Sequence, residues 1–218
     1  MKNLLLNLLD WIYKKKCYFC GTSDECIKMC SNCYDEMEYL PIEVNRKLFN
    51  TFNVYCCGVY EKNLQKLIRG LKYHKQRDLA HFQAKFMYEY WQQVSDKEDY
   101  YQIVPIPLFK EREKQRKYNH MALVGEEFCK LTGYELNHNL VKRIKDTKPQ
   151  YRLNKVQRME NLSDAFKIDK NVHLNQKILL FDDICTTGST FESIISELQK
   201  IGINDIVCLA TTTPICER

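Results

Sequence analysis

Residues 177–190 read Lys177-Ile-Leu-Leu-Phe-Asp-Asp-Ile-Cys-Thr-Thr-Gly-Ser-Thr190, and this stretch decides the fold. Residues 177–182 form a continuous apolar run, which is typical of a parallel strand buried on both faces. Residues 189–201 have the pattern of a helix, and Gly202 ends it. A buried strand that leads through a short turn into a helix is a building unit of an α/β sheet.

The turn between this strand and this helix has the composition of a phosphate-binding loop. The free amides at a helix N-terminus attract phosphate, and Gly188 lets the backbone curve closely around an anion. The carboxylates of Asp182 and Asp183 suit a ligand that also offers hydroxyl groups or magnesium. An acidic turn before an ordinary helix cap would explain each feature alone, but the combination favours phosphate binding. The hydroxyl-bearing residues of the loop are Thr186, Thr187, Ser189 and Thr190.

Two other nucleotide-binding motifs are absent from the sequence. The seven glycines never occur two positions apart, and no Gly-Lys-Ser/Thr triplet exists. These observations exclude a Rossmann fingerprint and a Walker A loop.

Outward from this loop, strand and helix patterns alternate along the chain. Apolar residues at positions 64, 67, 68 and 71 have helical spacing, and Gly133 supplies a left-handed cap to another helix. This alternation predicts the α/β class with a doubly wound parallel sheet. The predicted strands are 53–60, 101–104, 139–144, 177–182 and 205–211, and the predicted helices are 34–40, 64–71, one from about residue 79, 119–131 and 189–201.

Two C-x-x-C pairs near the start of the chain predict a zinc site. Four thiolates at about 2.3 Å from one ion form a closed tetrahedral site, which has a structural role because no position is left for substrate. Cys26 lies between the pairs and could replace one ligand, and four buried thiols are the alternative. The predicted organisation is a zinc module over residues 1–45 and a second domain over residues 46–218. The four predicted ligands are Cys17, Cys20, Cys30 and Cys33.

Composition and the first residues favour a cytoplasmic protein. The 33 Lys and Arg against 28 Asp and Glu give a net charge of +5, a mild excess that favours phosphorylated ligands without demanding nucleic acid. Asn7 and Asp10 interrupt the first apolar run, and no signal-peptide cleavage site follows. The segment is predicted to be an amphipathic helix that packs on the protein or on a membrane surface. No transmembrane segment is expected, because no apolar run reaches about 20 residues.

Residues 178–190 resemble the phosphoribosyl pyrophosphate motif of type I phosphoribosyltransferases. Three further stretches resemble the ComF family of competence-associated proteins: the paired cysteines, residues 104–119 beginning Val-Pro-Ile-Pro, and residues 147–166 with Gln150, Arg158 and Asn161. Leu71-Lys72-Tyr73 also fits that family. The resemblance covers nearly the whole chain.

The resemblance implies a role for each part of the site. Asp182 and Asp183 would contact the ribose hydroxyls, the loop from Thr186 to Thr190 would hold the 5-phosphate, and the segment with Pro105 and Ile106 would hold pyrophosphate. Residues 110–119, with Arg112 and Arg116, would form a mobile loop that closes over the site. The family usually has glycine where Lys117 stands and often has histidine where Phe109 stands.

The leading hypothesis is a phosphoribosyltransferase-like protein that binds phosphoribosyl pyrophosphate and magnesium, with a role in DNA uptake. Whether it turns over an acceptor is left open, and residues 143–166 are the candidate acceptor-binding segment. The alternative is a non-catalytic adaptor that binds single-stranded DNA through the zinc module and the basic loop. Tyr18 and Phe19 would then stack on bases or, in the simpler interpretation, pack the module.

Overall fold

A mostly parallel sheet of six strands forms the centre of the fold. A computed structural model describes residues 16–23, 28–145, 165–169 and 177–214. The sheet order is β1-β2-β8-β7-β3-β4, and only β1 runs antiparallel to its neighbour. The strands of the described residues are β1 (Arg46–Leu48), β2 (Phe52–Val59), β3 (Tyr101–Pro105), β4 (Glu135–Leu136), β5 (Val141–Arg143), β6 (Phe166–Ile168), β7 (Lys177–Ile184) and β8 (Ile206–Thr213).

Helices cover both faces of this sheet. The first face packs against α2, α3 and α5, and the second against α6 and the two-stranded ladder of β5 and β6. The predicted doubly wound α/β fold is thus confirmed. The helices of the described residues are α1 (Ser31–Asp35), α2 (Lys62–Tyr73), α3 (Leu79–Val94), α4 (Lys110–Arg116), α5 (His120–Thr132) and α6 (Ser189–Gln199), with a short 3-10 helix at Ile42–Val44.

Strand β7 lies inside the sheet, between β8 and β3, because its side chains are apolar in both directions. Leu179 and Phe181 pack into the core under α2, α3 and α5, whereas Ile178 and Leu180 pack into the core under α6. All four side chains are fully buried. Successive side chains of a strand point to opposite faces, so a continuous apolar run suits a strand covered on both sides.

Two predicted elements differ from the structure. The strand predicted over 139–144 is present as β5, but it does not join the main sheet. The Asn137 side chain accepts hydrogen bonds from the backbone amides of Asn139 and Leu140, and this turn leads the chain into the separate β5–β6 ladder. The helix predicted over 34–40 ends at Asp35, because the amide of Leu40 instead donates to the carbonyl of Cys57 in β2.

Several predictions fall outside the described residues. These concern the N-terminal amphipathic helix, Cys26 and the segment with Gln150, Arg158 and Asn161. Among the helices that are described, none combines the length and apolar character needed to cross a membrane. The boundary at residue 45 stays a prediction, since Cys17, Cys30 and Cys33 share a core with the helices on the first face.

Helix α4 occupies most of the segment that the resemblance assigned to a mobile loop. It has no buried residue and carries alternating charges, and the residue that caps its C-terminus, Lys117, has the left-handed φ of +68°. Glycine adopts this conformation without steric cost, whereas a residue with a Cβ is strained there. The glycine usual in the family at this position would therefore fit the observed backbone.

We expect Lys117→Gly to stabilise the protein by about 1 kcal/mol, because it relieves the left-handed strain at the end of α4. Urea denaturation measures the change. Lys114→Gly, inside the same helix, is the matched control and should destabilise by about 0.5–1 kcal/mol. Equal effects of the two variants would contradict the role given to the backbone at Lys117.

Candidate functional site

A cleft of about 640 Å³ lies at the carboxyl ends of β3 and β7. Ligand sites of open α/β sheets lie at this edge. The cleft is bounded by the end of α2, the chain after β3, α4, the start of α5 and the loop after β7. Residues of these elements that line it include Lys72, Tyr73, Lys75, Ile106, Arg112, Arg116, His120, Asp182, Asp183, Thr186 and Thr190.

The structure brings most of the sequence-predicted site residues to this cleft. Gly188 and Ser189 line a small hollow inside the loop after β7, where they meet Asp182, Thr186 and Thr190 from the cleft wall. Thr187 is adjacent, with its hydroxyl 2.7 Å from that of Ser189. Pro105 is the last residue of β3 and pairs with Phe181, so it supports the cleft without lining it. The predicted site residues that line the main cleft are Ile106, Arg112, Arg116, Asp182, Asp183, Thr186 and Thr190.

The loop after β7 turns sharply into helix α6. Gly188 has a φ of +87° and caps the helix, and its carbonyl accepts the first helical hydrogen bond, from Glu192, at 2.9 Å. The amide of Ser189 points at the Thr187 hydroxyl at 3.4 Å, a long contact. Glycine is needed at this turn because a side chain disfavours positive φ. The hydroxyl groups and helix amides of the loop are donors that suit an anion.

Asp183 is the most tightly held side chain of the cleft. It is only 5% exposed, and Lys72 Nζ lies 2.8 Å from each of its carboxylate oxygens. His120 Nε2 also hydrogen-bonds to Asp183. The backbone carbonyl of Asp183 accepts a hydrogen bond from the Thr212 hydroxyl of β8 at 3.0 Å. Two cation-forming groups thus fix this carboxylate in place.

The two adjacent aspartates have opposite pKa shifts. Burial works to raise the pKa of Asp183, but Lys72 and His120 together hold it below its ordinary value. The half-buried Asp182 has a pKa well above its ordinary value, because of desolvation and the negative charge of Asp183. Burial lowers the pKa of His120 despite its contact with Asp183. Asp183 is therefore the more readily ionised member of the pair, and burial favours the neutral form of His120.

Lys72 and His120 are site residues that the sequence reasoning did not assign. Lys72 is 111 positions from Asp183 and His120 is 63 positions away. The sequence carried one signal for Lys72, since Leu71-Lys72-Tyr73 was part of the ComF resemblance. No pattern singled out His120.

The mouth of the cleft carries positive charge beside aromatic rings. The Arg116 guanidinium lies 5.3 Å from the centre of the Tyr73 ring, and that of Arg77 lies 4.7 Å from the centre of the Tyr118 ring. The Tyr118 hydroxyl donates to the carbonyl of Leu71 at 2.6 Å. These contacts hold α4 and the start of α5 against the end of α2. The cationic residues of the lining outnumber the acidic ones, and they are Lys72, Lys75, Arg112, Arg116 and Arg143.

The four cysteines of the two C-x-x-C pairs form one cluster. Their sulfur atoms all lie within 4.8 Å of one another, and those of Cys20 and Cys30 are 3.6 Å apart. Sulfurs bound tetrahedrally to one zinc ion at about 2.3 Å have comparable spacing. The cluster is therefore compatible with the predicted zinc site. It has no carboxylate or histidine in the described residues, which also suits zinc rather than magnesium.

The backbone of the first cysteine pair also suits a thiolate site. The amides of Phe19 and Cys30 both donate to the Cys17 sulfur at 3.4 Å. Burial acts to raise the pKa of Cys17, but backbone donors of Cys20, Cys30 and Phe19 bring it down to about 6, whereas burial raises the pKa of Cys33. Gly21, with a φ of +81°, turns the chain after the pair. A readily deprotonated thiol favours metal binding.

The aromatic residues of the first pair pack against α2. Tyr18 and Phe19 are both partly buried, and Lys66 of α2 lies within 6 Å of both ring centres. Packing of the module, the simpler of the two interpretations, therefore describes these residues.

The chain is similar to competence and DNA utilization proteins. It is 28% identical over 201 residues to Competence protein F of Haemophilus influenzae, and the aligned region covers 87% of this chain and 86% of that protein. It is 27% identical over 176 residues to Competence protein ComFC of Bacillus subtilis, covering 80% of this chain and 67% of that protein. With DNA utilization protein YhgH of Escherichia coli it shares 29% identity over 112 residues, about half of each chain.

Solved structures with similarity include a hypoxanthine phosphoribosyltransferase from Staphylococcus aureus. One crystal form aligns with a TM-score of 0.37 and 15% identity, over 62% of this chain and 62% of that chain. No family model matches the chain. The fold assignment rests on the strand order and helix placement described above.

Proposed function

Starting from the chain's similarity to Competence protein F and to Competence protein ComFC, we propose that it binds phosphoribosyl pyrophosphate with magnesium and takes part in DNA uptake. The observation that carries the ligand assignment is the meeting of Asp182, the Thr186–Thr190 loop and several cations at one cleft. The link to DNA uptake is supported by relatives named as competence and DNA utilization proteins.

The loop after β7 would hold the 5-phosphate. Its backbone turns at Gly188 into the N-terminus of an eleven-residue helix, where free amides carry partial positive charge. The hydroxyls of Thr186, Thr187, Ser189 and Thr190 add donors around the same hollow. This set of donors favours a phosphate monoester over a neutral group.

Asp182 would contact the ribose hydroxyls and magnesium. Asp183 is already bonded to Lys72 and His120, so it has little free acceptor capacity. Asp182 accepts one bond, from the Asp183 amide at 2.8 Å, and it lines both the cleft and the loop hollow. The two aspartates would therefore have different roles. Asp182 would contact the ligand, whereas Asp183 holds Lys72 and His120 in position. The resemblance alone implied ligand contact by both carboxylates.

The basic side of the cleft would neutralise pyrophosphate. Arg112 and Arg116 reach it from α4, and Lys72 and Lys75 reach it from the end of α2. Guanidinium groups bind phosphate oxygens in pairs, and their positive charge would also stabilise a leaving pyrophosphate. If an acceptor is used, the reaction is displacement of pyrophosphate from the anomeric carbon by a nitrogen nucleophile.

Titration calorimetry with phosphoribosyl pyrophosphate and magnesium tests the proposal. Separate titrations with ribose 5-phosphate and with pyrophosphate measure how much each part of the ligand contributes to binding. Saturable binding of the whole ligand that pyrophosphate alone does not reproduce is expected. Absence of measurable binding by the zinc-loaded protein would refute the ligand assignment. Release of pyrophosphate with a panel of bases distinguishes an enzyme from a binding protein.

Asp182→Asn is expected to weaken this binding about tenfold to a hundredfold, since hydrogen bonds to a charged group contribute about 1.5–3 kcal/mol. The ligand contacts need the carboxylate, and the pKa of Asp182 is raised. Wild-type affinity should therefore increase as pH rises through the deprotonation of Asp182, and the variant should lack this increase.

Asp205→Asn is the control for Asp182→Asn, because Asp205 is exposed and precedes β8 at the opposite edge of the sheet. It should leave affinity unchanged. The single Asp182 variant is a sharper test than replacement of both aspartates, because Asp183 also stabilises the fold. Unchanged affinity and pH dependence in Asp182→Asn would rule out the assigned contact.

A further inference from the structure

We infer that Tyr18 and His74 are positioning residues that connect the cysteine cluster to the cleft, so that the module supports ligand binding at a distance. The identity of the ligand in this inference rests on the proposed function. Helix α2 is the element that carries the connection. One side of this helix contacts the module, and its last turn supplies the cleft.

The module is bonded to α2 at two points along the helix. Near its start, the side-chain amide of Asn63 donates to the carbonyl of Cys33 at 2.9 Å. One turn later, Lys66 Nζ donates to the carbonyl of Phe19 at 2.9 Å. Both acceptors belong to the C-x-x-C pairs or to residues inside them. The position of α2 is thus tied to the backbone that carries the sulfurs.

Tyr18 makes the contact nearest the cleft. Its hydroxyl lies 2.6 Å from His74 Nδ1, directly after the end of α2. Its ring packs on Gly70, where an added Cβ would lie only 3.2 Å from the ring edge. Tyr18 lies between two of the cysteines, and its own amide donates to the carbonyl of Lys28 at 2.9 Å. The cysteine cluster therefore fixes the direction in which this side chain points.

The last turn of α2 supplies three contacts to the cleft. Lys72 bonds to Asp183, the carbonyl of Leu71 accepts from Tyr118, and Tyr73 belongs to the cleft wall. Lys75, one residue after His74, also lines the cleft and has a positive φ of +56°. A turn with a strained residue needs support to keep one conformation. The Tyr18–His74 hydrogen bond gives that support from outside the cleft.

Tyr18→Phe is expected to weaken phosphoribosyl pyrophosphate binding about fivefold, the equivalent of one ordinary hydrogen bond, while zinc content stays unchanged. His74→Ala should have the same effect, and since His74 is exposed its replacement does not threaten the core. The double variant should be no weaker than either single variant, because both remove one contact. Additive losses would overturn the inference.

Tyr39→Phe is the matched control. The Tyr39 hydroxyl also ties the N-terminal region to a helix, donating at 2.6 Å to Glu89 of α3, but this contact does not reach the cleft. The control variant should keep wild-type affinity. A loss equal to that of Tyr18→Phe would mean that general destabilisation, rather than positioning, causes the effect.

Amide hydrogen exchange tests the connection without any ligand. The amides of His74 and Gln76 both donate to the carbonyl of Gly70 at 3.1 Å, and these bonds define the turn. Exchange at both amides should be faster in Tyr18→Phe than in wild type or Tyr39→Phe. Unchanged exchange would overturn the inference. If wild type fails to bind the ligand, the proposed function falls, and the exchange result still decides the positioning role.

Discussion

Replacement of Lys72 by methionine is expected to lower the free energy of unfolding by about 3 kcal/mol at neutral pH, because it leaves the buried carboxylate of Asp183 without its main counter-ion. The two side chains are only 15% and 7% exposed, so water cannot take the place of the ammonium group. His120 remains as a partner, but its burial opposes protonation of the imidazole.

The destabilisation by Lys72→Met should depend on pH in a defined direction. In wild type, the pKa of Asp183 is below its ordinary value, so its ionised form adds stability at neutral pH that is lost only as pH falls through that low pKa. In the variant, burial without Lys72 would raise this pKa. The folded state would then take up a proton as pH falls, and the difference from wild type should shrink in acid.

Urea denaturation at neutral and at mildly acidic pH measures both effects. Lys130→Met is the matched control: Lys130 pairs with Glu127 at 2.5 Å, but it is 69% exposed. Exposed ion pairs contribute little to stability, so the control should unfold almost as wild type does at both pH values. A loss in Lys72→Met that is equally small would contradict the buried ion pair.

Cys33→Ser is expected to reduce bound zinc from about one ion per chain to close to none, since a structural site needs all four of its ligands. Cys33 is buried in the same core as Leu64 and Leu67 of α2. Loss of the metal should therefore unfold the module and expose one side of α2. Metal analysis of protein purified without chelator and thermal unfolding are the two measurements.

Cys129→Ser is the control for the zinc experiment, because Cys129 is a partly exposed residue of α5 outside the cluster. It should keep the full zinc content. Cys26→Ser should keep it as well, which would remove Cys26 as a replacement ligand. Zinc retained in Cys33→Ser, or an intact module without any zinc, would contradict the four-cysteine site.

Local sequence patterns predicted the parts of the molecule that are themselves local. The strand, loop and helix from Lys177 to Gln199 follow one another directly, and each cysteine pair spans four residues. Composition and residue spacing are enough to predict elements of this local kind. Lys72 and His120 reach Asp183 from distant positions, and their pairing depends on how α2 and α5 pack on the sheet. No window of sequence contains that information.

Two further elements show why pattern alone was insufficient. Helix α4 has no buried residue, so its sequence lacks the apolar periodicity by which the other helices were predicted. Residues 139–144 have the composition of a strand, and nothing in that composition excludes them from the main sheet. The Asn137 turn determined the outcome, and such side-chain turns are easily overlooked among polar residues.

The strand order has a consequence for synthesis of the chain on the ribosome. Strands β7 and β8 come last in the sequence but lie between β2 and β3 in the sheet. Until they emerge, the nascent chain exposes unpaired edges of both earlier strands, and such edges are prone to aggregate. The sheet can therefore close only after β7 and β8 have been made, and a chaperone that shields these two edges would act before that point.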